Sequence, residues 1–461
     1  MAARYDMLIK GGLVVFSDCV RRTDIAIHGE VIAALREIST EEAQTVIHAE
    51  GHVVVPGMID VHVHFNEPGL EDWEGIPSGS SALAAGGCTT YFDMPLNCLP
   101  PTTTLASLEM KKQRAAGRSV VDYAFWGGLV PGNLEHLASL AEAGVIGYKA
   151  FLSSTGSSQE GAFREVDDAT LYQGMLEISR LGKILALHAE SEQIIGAIAA
   201  HKRNSRETGP ADYLRSRPIY AEVEAVKRAL FYAEQTGCPL HFVHISSPEA
   251  IKEIRMAKRA GLDVTLETCP HYLTLTDDAL KEIGPLAKCA PPLRSDVERE
   301  GLWQAIAQGD IDIISSDHSP CPPEWKVSDD WFEIWGGISG AQSSLELILG
   351  EGHVVRHLDL TLLCRMLSLN PARRFGLAPR KGQIAVGADA DLAIVDFSPY
   401  VLQKEHLYDR HKQNVYIGRT MHCRVKYTVV RGNIVYDWQR GIAGLAAGQW
   451  LRSPSRKQVC S

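Results

Sequence analysis

The chain has 461 residues, more than one ordinary hydrophobic core holds, and its 45% hydrophobic and 22% charged residues are typical of a globular protein. The formal net charge of -10 argues against nucleic acid or an anionic membrane as partner, because both favour a basic face. No apolar stretch approaches the ~20 residues that span a bilayer, and the N-terminus lacks the features of a signal peptide, so we expect a cytoplasmic protein.

Short strands with tight turns are predicted at both ends of the chain. Residues 7–15 form two apolar runs broken by a glycine pair, and residues 24–34 predict a second hairpin that turns at His28-Gly29-Glu30. Near the C-terminus, residues 387–395 lead into a strand and residues 426–436 predict a hairpin turning at Arg431-Gly432-Asn433. Neither end holds enough strands for a core, so residues 1–54 and 376–448 are predicted to form one discontinuous β-sandwich domain.

The central segment, residues 55–375, alternates strand-like runs with helical patterns such as residues 222–234 and 248–260. This alternation predicts a parallel sheet, and the length suits a catalytic (β/α)₈ TIM-like barrel, giving an α/β fold class. A doubly wound open sheet is the structural alternative. The polar residues 449–461 are predicted to be a flexible tail.

The first candidate ligands follow an apolar run that begins at Val53. His62 and His64 are two positions apart, so on a strand both imidazoles point to the same face. Two imidazoles at a strand exit form half of a metal site, although a lone His-x-His is weak evidence.

The same arrangement recurs at four later strand ends, where a polar residue closes an apolar run: Lys149, His188, His244 and Asp317. In a barrel the carboxyl ends of all strands meet at one rim, where barrel enzymes carry their chemistry. The recurrence therefore predicts one polar site rather than scattered histidines.

Four imidazoles and a carboxylate suit Zn²⁺ or a similar divalent ion and exceed the usual three protein ligands of a single catalytic site. Two cations would use the full set if a group bridged them. Two cations would repel an ammonium at Lys149. At an effective dielectric of 20, each pair of unit charges about 4 Å apart costs ~4 kcal/mol. Either Lys149 is an ordinary structural lysine, or its amine has reacted with CO₂ to give an anionic carbamate that bridges.

At this point the chain resembles the amidohydrolase superfamily and, within it, the cyclic amidohydrolases. The matching stretches cover most of the chain: residues 56–64, Gly86-Gly-Cys-Thr-Thr90, the strand of Lys149, His188, residues 244–248, Ser316-Asp-His-Ser319 and residues 382–392. The resemblance implies two divalent metal ions, with Zn most suitable and Co, Mn or Ni acceptable. It implies as ligands His62, His64, His188, His244, Asp317 and a carboxylated Lys149, and it suggests a homotetramer.

Within this group the chain is most similar to the allantoinases, through Glu67-Pro-Gly69, Trp73-Glu-Gly75, residues 94–97, 268–272 and 316–323, and Trp335-Gly-Gly337. That similarity implies hydrolysis of the hydantoin ring of allantoin to allantoate, a step of purine and ureide catabolism. A dihydroorotase would carry an arginine where this chain has Asn66, and hydantoinases or dihydropyrimidinases usually lack the Glu-Pro-Gly turn. These cyclic amide and imide hydrolases remain the enzymatic alternatives.

The implied mechanism uses a hydroxide bridging two metal ions, which attacks the ring carbonyl while one metal polarises it. Asp317 is predicted to take the hydroxide proton and deliver it to the leaving nitrogen. Motif positions in relatives suggest substrate contacts at Asn66, Asn97, Ala290 (through its backbone) and Gly337. The loop 153–161 is either a lid or a plain connector.

The rival from another class is a metal-free scaffold protein, as among the collapsin response mediator proteins. Such relatives have lost the metal ligands, whereas this chain keeps every one of them. The sequence therefore favours an enzyme over a scaffold.

Overall fold

The two ends of the chain supply two β-sheets, as seen in a computed structural model that describes residues 4–157, 160–444 and 446–452. The N-terminal strands are β1 (Tyr5–Lys10), β2 (Leu13–Val15), β3 (Val20–Arg22), β4 (Ile25–His28), β5 (Val31–Ala34), β6 (Ala43–His48) and β7 (Val53–Pro56). The glycine pair after β1 does not close a hairpin. It carries the chain from one sheet to the other, because β1 pairs with β4 and β6 whereas β2 pairs with β3 and β7.

A single barrel follows, whose elements alternate between strand and helix. They are β8 (Met58–Val63), α1 (Ile76–Ala85), β9 (Cys88–Asp93), α2 (Leu105–Ala115), β10 (Asp122–Phe125), β11 (Gly127–Gly128), α3 (Leu137–Ala143), β12 (Tyr148–Phe151), α4 (Asp168–Arg180), β13 (Leu185–His188), α5 (Glu192–Asn204), α6 (Pro210–Ser216), α7 (Ile219–Thr236), β14 (Leu240–Phe242), α8 (Pro248–Arg259), β15 (Val264–Thr268), α9 (Pro270–Thr274), α10 (Ala279–Glu282), α11 (Asp296–Gln308), β16 (Ile313–Ile314), α12 (Ser344–Leu349), α13 (Leu360–Cys364) and α14 (Asn370–Arg374).

The remaining elements are C-terminal strands and short turns of helix. The strands are β17 (Leu392–Asp396), β18 (Tyr400–Val401), β19 (Thr420–Met421), β20 (Arg424–Val430), β21 (Asn433–Asp437) and β22 (Gly441–Ile442). The short turns are π-helical at Gly350–Val355 and Arg365–Leu369, and 3₁₀ at Thr40–Glu42, Leu134–His136, Gly284–Ala287, Pro323–Lys326, Ala341–Ser343 and Lys404–His406.

The barrel closes on itself. Parallel pairing runs β10–β9–β8 in one direction and β11–β12–β13–β14–β15–β16 in the other, with β10 and β11 consecutive in the chain. The gap between β16 and β8 is bridged where Val63 pairs with His318 and the amide of His64 donates to the carbonyl of His318 at 2.8 Å. The predicted fold class, a TIM-like barrel with an added β-sandwich, is confirmed, and the open doubly wound sheet is excluded.

The β-sandwich draws on both termini, since β7 pairs with β17 in a seven-stranded sheet and the four-stranded sheet β5–β4–β1–β6 lies against it. Their shared core includes Ile9, Ile27, Val54, Leu392 and Val429. Both predicted hairpins form, β4–β5 around Gly29 and β20–β21 around Gly432, where positive φ values favour glycine.

Part of the predicted flexible tail is hydrogen-bonded to the barrel. Residues 449–452 lie along β10, where Tyr123 and Gln449 share a backbone hydrogen bond of 3.0 Å and Leu451 donates to the carbonyl of Tyr123 at 2.7 Å. The side chain of Leu451 is buried, and its burial helps to fix this segment against β10. Residues 453–461 lie outside the described residues. Within the described ranges, no helix combines the length and the apolar character needed to cross a bilayer.

Candidate metal centre

Five barrel strands bring their polar residues to the same rim. His62 is in β8 and His64 directly follows it, Lys149 is in β12, and His188 is the last residue of β13. The other two, His244 and Asp317, lie just beyond the ends of β14 and β16. All six predicted ligands therefore come from the carboxyl ends of parallel strands, as the barrel topology requires.

The first group of side chains converges on Asp317. Its Oδ1 lies 3.1 Å from Nε2 of His62 and 3.3 Å from Nε2 of His64. One ligand atom from each of these three residues lies within 4.8 Å of the others. Burial raises the pKa of Asp317, but attraction to His62 and the hydrogen bond with His64 outweigh it and bring the pKa to about 2.

The second group of side chains lies next to the first. Nδ1 of His188 lies 3.0 Å from Nε2 of His244, and the rings of His244 and His62 have centroids 5.4 Å apart. Phe151 stacks on His188 with ring centroids 4.5 Å apart, and the Nζ atom of Lys149 lies 4.9 Å from the Phe151 ring. The structure thus brings all six predicted ligands together.

Two buried nitrogens in this cluster test whether the donor set fits a metal. Nζ of Lys149 and Nδ1 of His244 are both buried, and neither has a hydrogen-bond partner among the described residues. Burial lowers the pKa of Lys149 to about 7, although Asp317 and Glu267 partly oppose the shift. Neutral imidazoles, a carboxylate and an unsatisfied buried amine fit a divalent cation with nitrogen and oxygen ligands.

Acidic residues behind the histidines fix which ring nitrogen faces the site. Glu267 Oε1 lies 2.6 Å from Nδ1 of His62, and Glu190 Oε2 lies 2.9 Å from Nε2 of His188. Carboxylates in this position orient metal-ligating imidazoles and raise their basicity. Neither residue was predicted from the sequence. The available signals were an acidic residue inside the apolar strand β15 and one placed two positions after His188.

The backbone is strained at two of the candidate ligands. His244 has φ 39° and Asp317 has φ 47°, in a region that L-residues rarely adopt. Asp60 supports the second of these turns, since its Oδ1 accepts hydrogen bonds from the amides of Ser316 at 3.1 Å and His62 at 3.2 Å. Such strain is concentrated at functional sites, where the surrounding structure holds it.

The cluster opens into a cavity of about 720 Å³. His62, His64, His188, His244 and Asp317 form part of its wall, whereas the fully buried Lys149 does not. Seven further residues of the wall are aromatic: Trp73, Phe151, Phe163, Tyr213, Trp325, Phe332 and Trp335. Residues 154–157 of the predicted loop also line it, while residues 158 and 159 lie outside the described part of the chain.

The four predicted substrate contacts divide into two pairs. Asn97 and Ala290 line the cavity, and Nδ2 of Asn97 lies 3.3 Å from Nδ1 of His64. Asn66 and Gly337 are not part of the wall. The Asn66 side chain turns away to Pro320, whose carbonyl lies 3.4 Å from Nδ2, and the carbonyl of Gly337 accepts a hydrogen bond of 2.8 Å from Lys326.

Comparisons with known proteins agree with this architecture. The model of the amidohydrolase family matches residues 53–435. An allantoinase of Bacillus velezensis is 46% identical over 98% of this chain and 99% of its own length, and an allantoinase of Deinococcus radiodurans is also 46% identical, with the same coverage. The solved L-hydantoinase (dihydropyrimidinase) from Arthrobacter aurescens superposes with a TM-score of 0.93 at 34% identity, covering 97% of this chain and all of that one. The predicted family is thereby confirmed: the chain belongs to the amidohydrolase family.

Proposed function

We propose that the chain hydrolyses the hydantoin ring amide of allantoin to give allantoate. The observation that carries the proposal is the convergence of six predicted ligands at the barrel rim, five of them in the wall of one cavity. Relatives named allantoinase, at 40–46% identity over nearly the whole chain, support allantoin as the substrate. The chain is an enzyme acting on cyclic amides, and family membership implies a divalent metal centre.

Two cations, with Zn²⁺ the most suitable, account for the complete donor set. We infer that the first would be held by Nε2 of His62, Nε2 of His64 and Asp317, and the second by His188 and His244. Lys149 would bridge them after its neutral amine adds to CO₂ and releases a proton, which leaves an anionic carbamate. The amine fits this role because it is buried and makes no hydrogen bond within the described residues.

Bound cations would supply Lewis acidity, which polarises the substrate carbonyl and acidifies a water molecule. Asp317 acts as the general base and acid: its carboxylate accepts the proton of the attacking water and passes it to the ring nitrogen as the amide bond breaks. Its exposed fraction of 12% leaves the carboxylate within reach of the cavity. Glu267 and Glu190 hold His62 and His188 in the tautomers that present a free nitrogen to the site.

The cavity of about 720 Å³ has room for a small ring substrate. Aromatic side chains in its wall provide surfaces for the ring to pack on, and Asn97 supplies a hydrogen-bonding amide close to His64. We propose Asn97 and the backbone of Ala290 as substrate contacts. The substrate contacts predicted at Asn66 and Gly337 stay predictions. Because neither residue lies in the cavity wall, each contact would require its loop to move. In dihydroorotases an arginine that binds the ring carboxylate stands where this chain has Asn66.

The test is to strip the metal, restore single divalent ions with and without bicarbonate, and assay allantoin, hydantoin and dihydroorotate in parallel. We expect allantoin to be opened fastest, with Zn²⁺ or a similar ion, and recovery to need bicarbonate. Faster turnover of hydantoin would favour the hydantoinase alternative. Turnover that survives complete metal removal would overturn the proposal. The homotetramer and the cytoplasmic location stay predictions, to be tested by light scattering and fractionation.

A further inference from the structure

Lys288 is a buried lysine in the cavity wall that the proposed mechanism does not use. Its side chain lines the same cavity as His62 and Asp317, and the residue is only 4% exposed. It lies two positions before Ala290, whose backbone is a predicted substrate contact. A charged group rarely occupies a buried position without a partner, so this lysine requires an explanation.

The amine of Lys288 has fewer acceptors than it has donors. Nζ donates to the carbonyl of Ile334 and lies 4.4 Å from the centroid of the Tyr213 ring. Both of these neighbours also line the cavity. A lysine ammonium carries three N–H donors, and the carbonyl of Ile334 is the sole hydrogen-bond acceptor it has within the described residues. The remaining donors are free for a molecule in the cavity.

Two cations near Lys288 are better paired than it is. Arg217 pairs with Glu190, and Nζ of Lys326 donates to the carbonyls of Pro285, Trp335 and Gly337. Burial, followed by repulsion from Arg217 and Lys326, lowers the pKa of Lys288 to about 7. The amine donates hydrogen bonds in both protonation states, so an acceptor placed beside it would be stabilised on either side of neutral pH.

We propose that Lys288 is a specificity-determining residue that donates a hydrogen bond to the carbonyl oxygen of the ureido substituent on the substrate ring. The inference rests on the proposed function, because the ureido group is what distinguishes allantoin from unsubstituted hydantoin. A urea carbonyl is a strong neutral acceptor, so it satisfies the amine without adding a buried charge. The group survives ring opening, so the contact selects the substrate and takes no part in bond cleavage.

The experiment compares kcat/KM for allantoin and for hydantoin in the wild type, in Lys288→Met and in Lys183→Met. Lys183 is the matched control: it is 6% exposed, its Nζ donates to one backbone carbonyl, that of Val145 at 3.1 Å, and it is not part of the cavity wall. We expect Lys288→Met to lose about 10- to 100-fold in kcat/KM on allantoin, mainly through KM, because a hydrogen bond to a charged group is removed. Hydantoin turnover should stay unchanged, and Lys183→Met should keep the wild-type ratio between the two substrates.

Equal losses on both substrates, or none on allantoin, would overturn the inference. If Lys288→Met does not fold, Lys288→Leu is a second replacement without a hydrogen-bond donor, and the same change in the ratio of the two activities is expected of it. Failure of the proposed function gives a different result, since the wild type would then open hydantoin but leave allantoin intact. The ratio of the two activities therefore separates the two failures.

Discussion

Glu267 holds His62 from behind: Oε1 of Glu267 lies 2.6 Å from Nδ1 of His62, and both side chains are buried. The contact leaves Nε2 of His62 directed at Asp317. The other carboxylate oxygen lies 3.1 Å from Nε2 of His241, so one acidic residue of β15 orders two histidines from two other strands. The orientation of a predicted ligand thus depends on a residue that contacts no substrate.

Substitution of this carboxylate should weaken metal binding. Glu267→Gln removes the charge that orients His62, and we expect metal affinity to fall about 10- to 100-fold. Competition with a chelator, read by elemental analysis, measures the change. Glu346→Gln is the control, because Glu346 is also buried but bonds to Tyr400 and the amide of Val425. Unchanged affinity in Glu267→Gln would mean that the carboxylate does not orient the ligand.

Substitution of Asp317 should lower turnover more than it lowers the amount of bound metal. Asp317→Asn keeps the size of the side chain but removes the basic carboxylate, so we expect kcat to fall by about 10²- to 10⁴-fold while part of the metal is retained. Steady-state kinetics and metal analysis of the same sample measure both effects. Asp310→Asn, at a residue that pairs with Arg255, serves as the control. Near-normal rates in Asp317→Asn would remove Asp317 from the acid and base roles.

Lys149 should carry the mass of one CO₂ in the active protein. Native mass spectrometry of the intact chain with bicarbonate measures this increment, which we expect to be absent in Lys149→Met. That variant should lose both bound metal and activity, because no anion remains to bridge the two cations. Lys183→Met, which also removes a buried lysine, should keep both. Full metal occupancy in Lys149→Met would contradict the bridging role.

Lys381 should be a major source of stability between the barrel and the terminal sheets. Its Nζ lies 2.7 Å from Asp122 in β10, 2.6 Å from Asp391 and 3.1 Å from Asp389, all buried. Lys381→Met leaves these carboxylates without that cation, and we expect the free energy of unfolding to fall by about 3–5 kcal/mol. Denaturant titration measures the loss, with Lys252→Met as the exposed control. If Lys381→Met lost no more unfolding free energy than Lys252→Met, the ion pairs of Lys381 would not stabilise the contact between the barrel and the terminal sheets.

Stability should depend on pH through Glu346. Burial raises its pKa from 4.5 to about 7, so the folded protein binds a proton that the unfolded chain releases. The stabilisation from this proton is complete below pH 4.5 and is lost as the pH rises to about 7. Melting temperatures across this range should fall relative to those of Glu346→Gln, which cannot titrate. If the melting temperatures of the wild type and Glu346→Gln changed in parallel with pH, Glu346 would not be the group responsible.

The sequence by itself determined which strands end in polar residues and where both terminal hairpins turn. These features are local: a buried parallel strand is an apolar run, and a residue at its carboxyl end faces the barrel rim whatever surrounds it. His62, His64, Lys149, His188, His244 and Asp317 could therefore be selected before any coordinates, and the amidohydrolase family could be recognised from them.

Only the tertiary structure decided which residues contact and orient these ligands. His62 and Glu267 are 205 positions apart, and Asp122 and Lys381 are 259 apart, so no local pattern pairs them. The course of residues 449–452 along β10 and the turning of Asn66 toward Pro320 likewise depend on distant neighbours. The partly satisfied amine of Lys288 also depends on distant neighbours, because burial and hydrogen-bond satisfaction are properties of the packed chain.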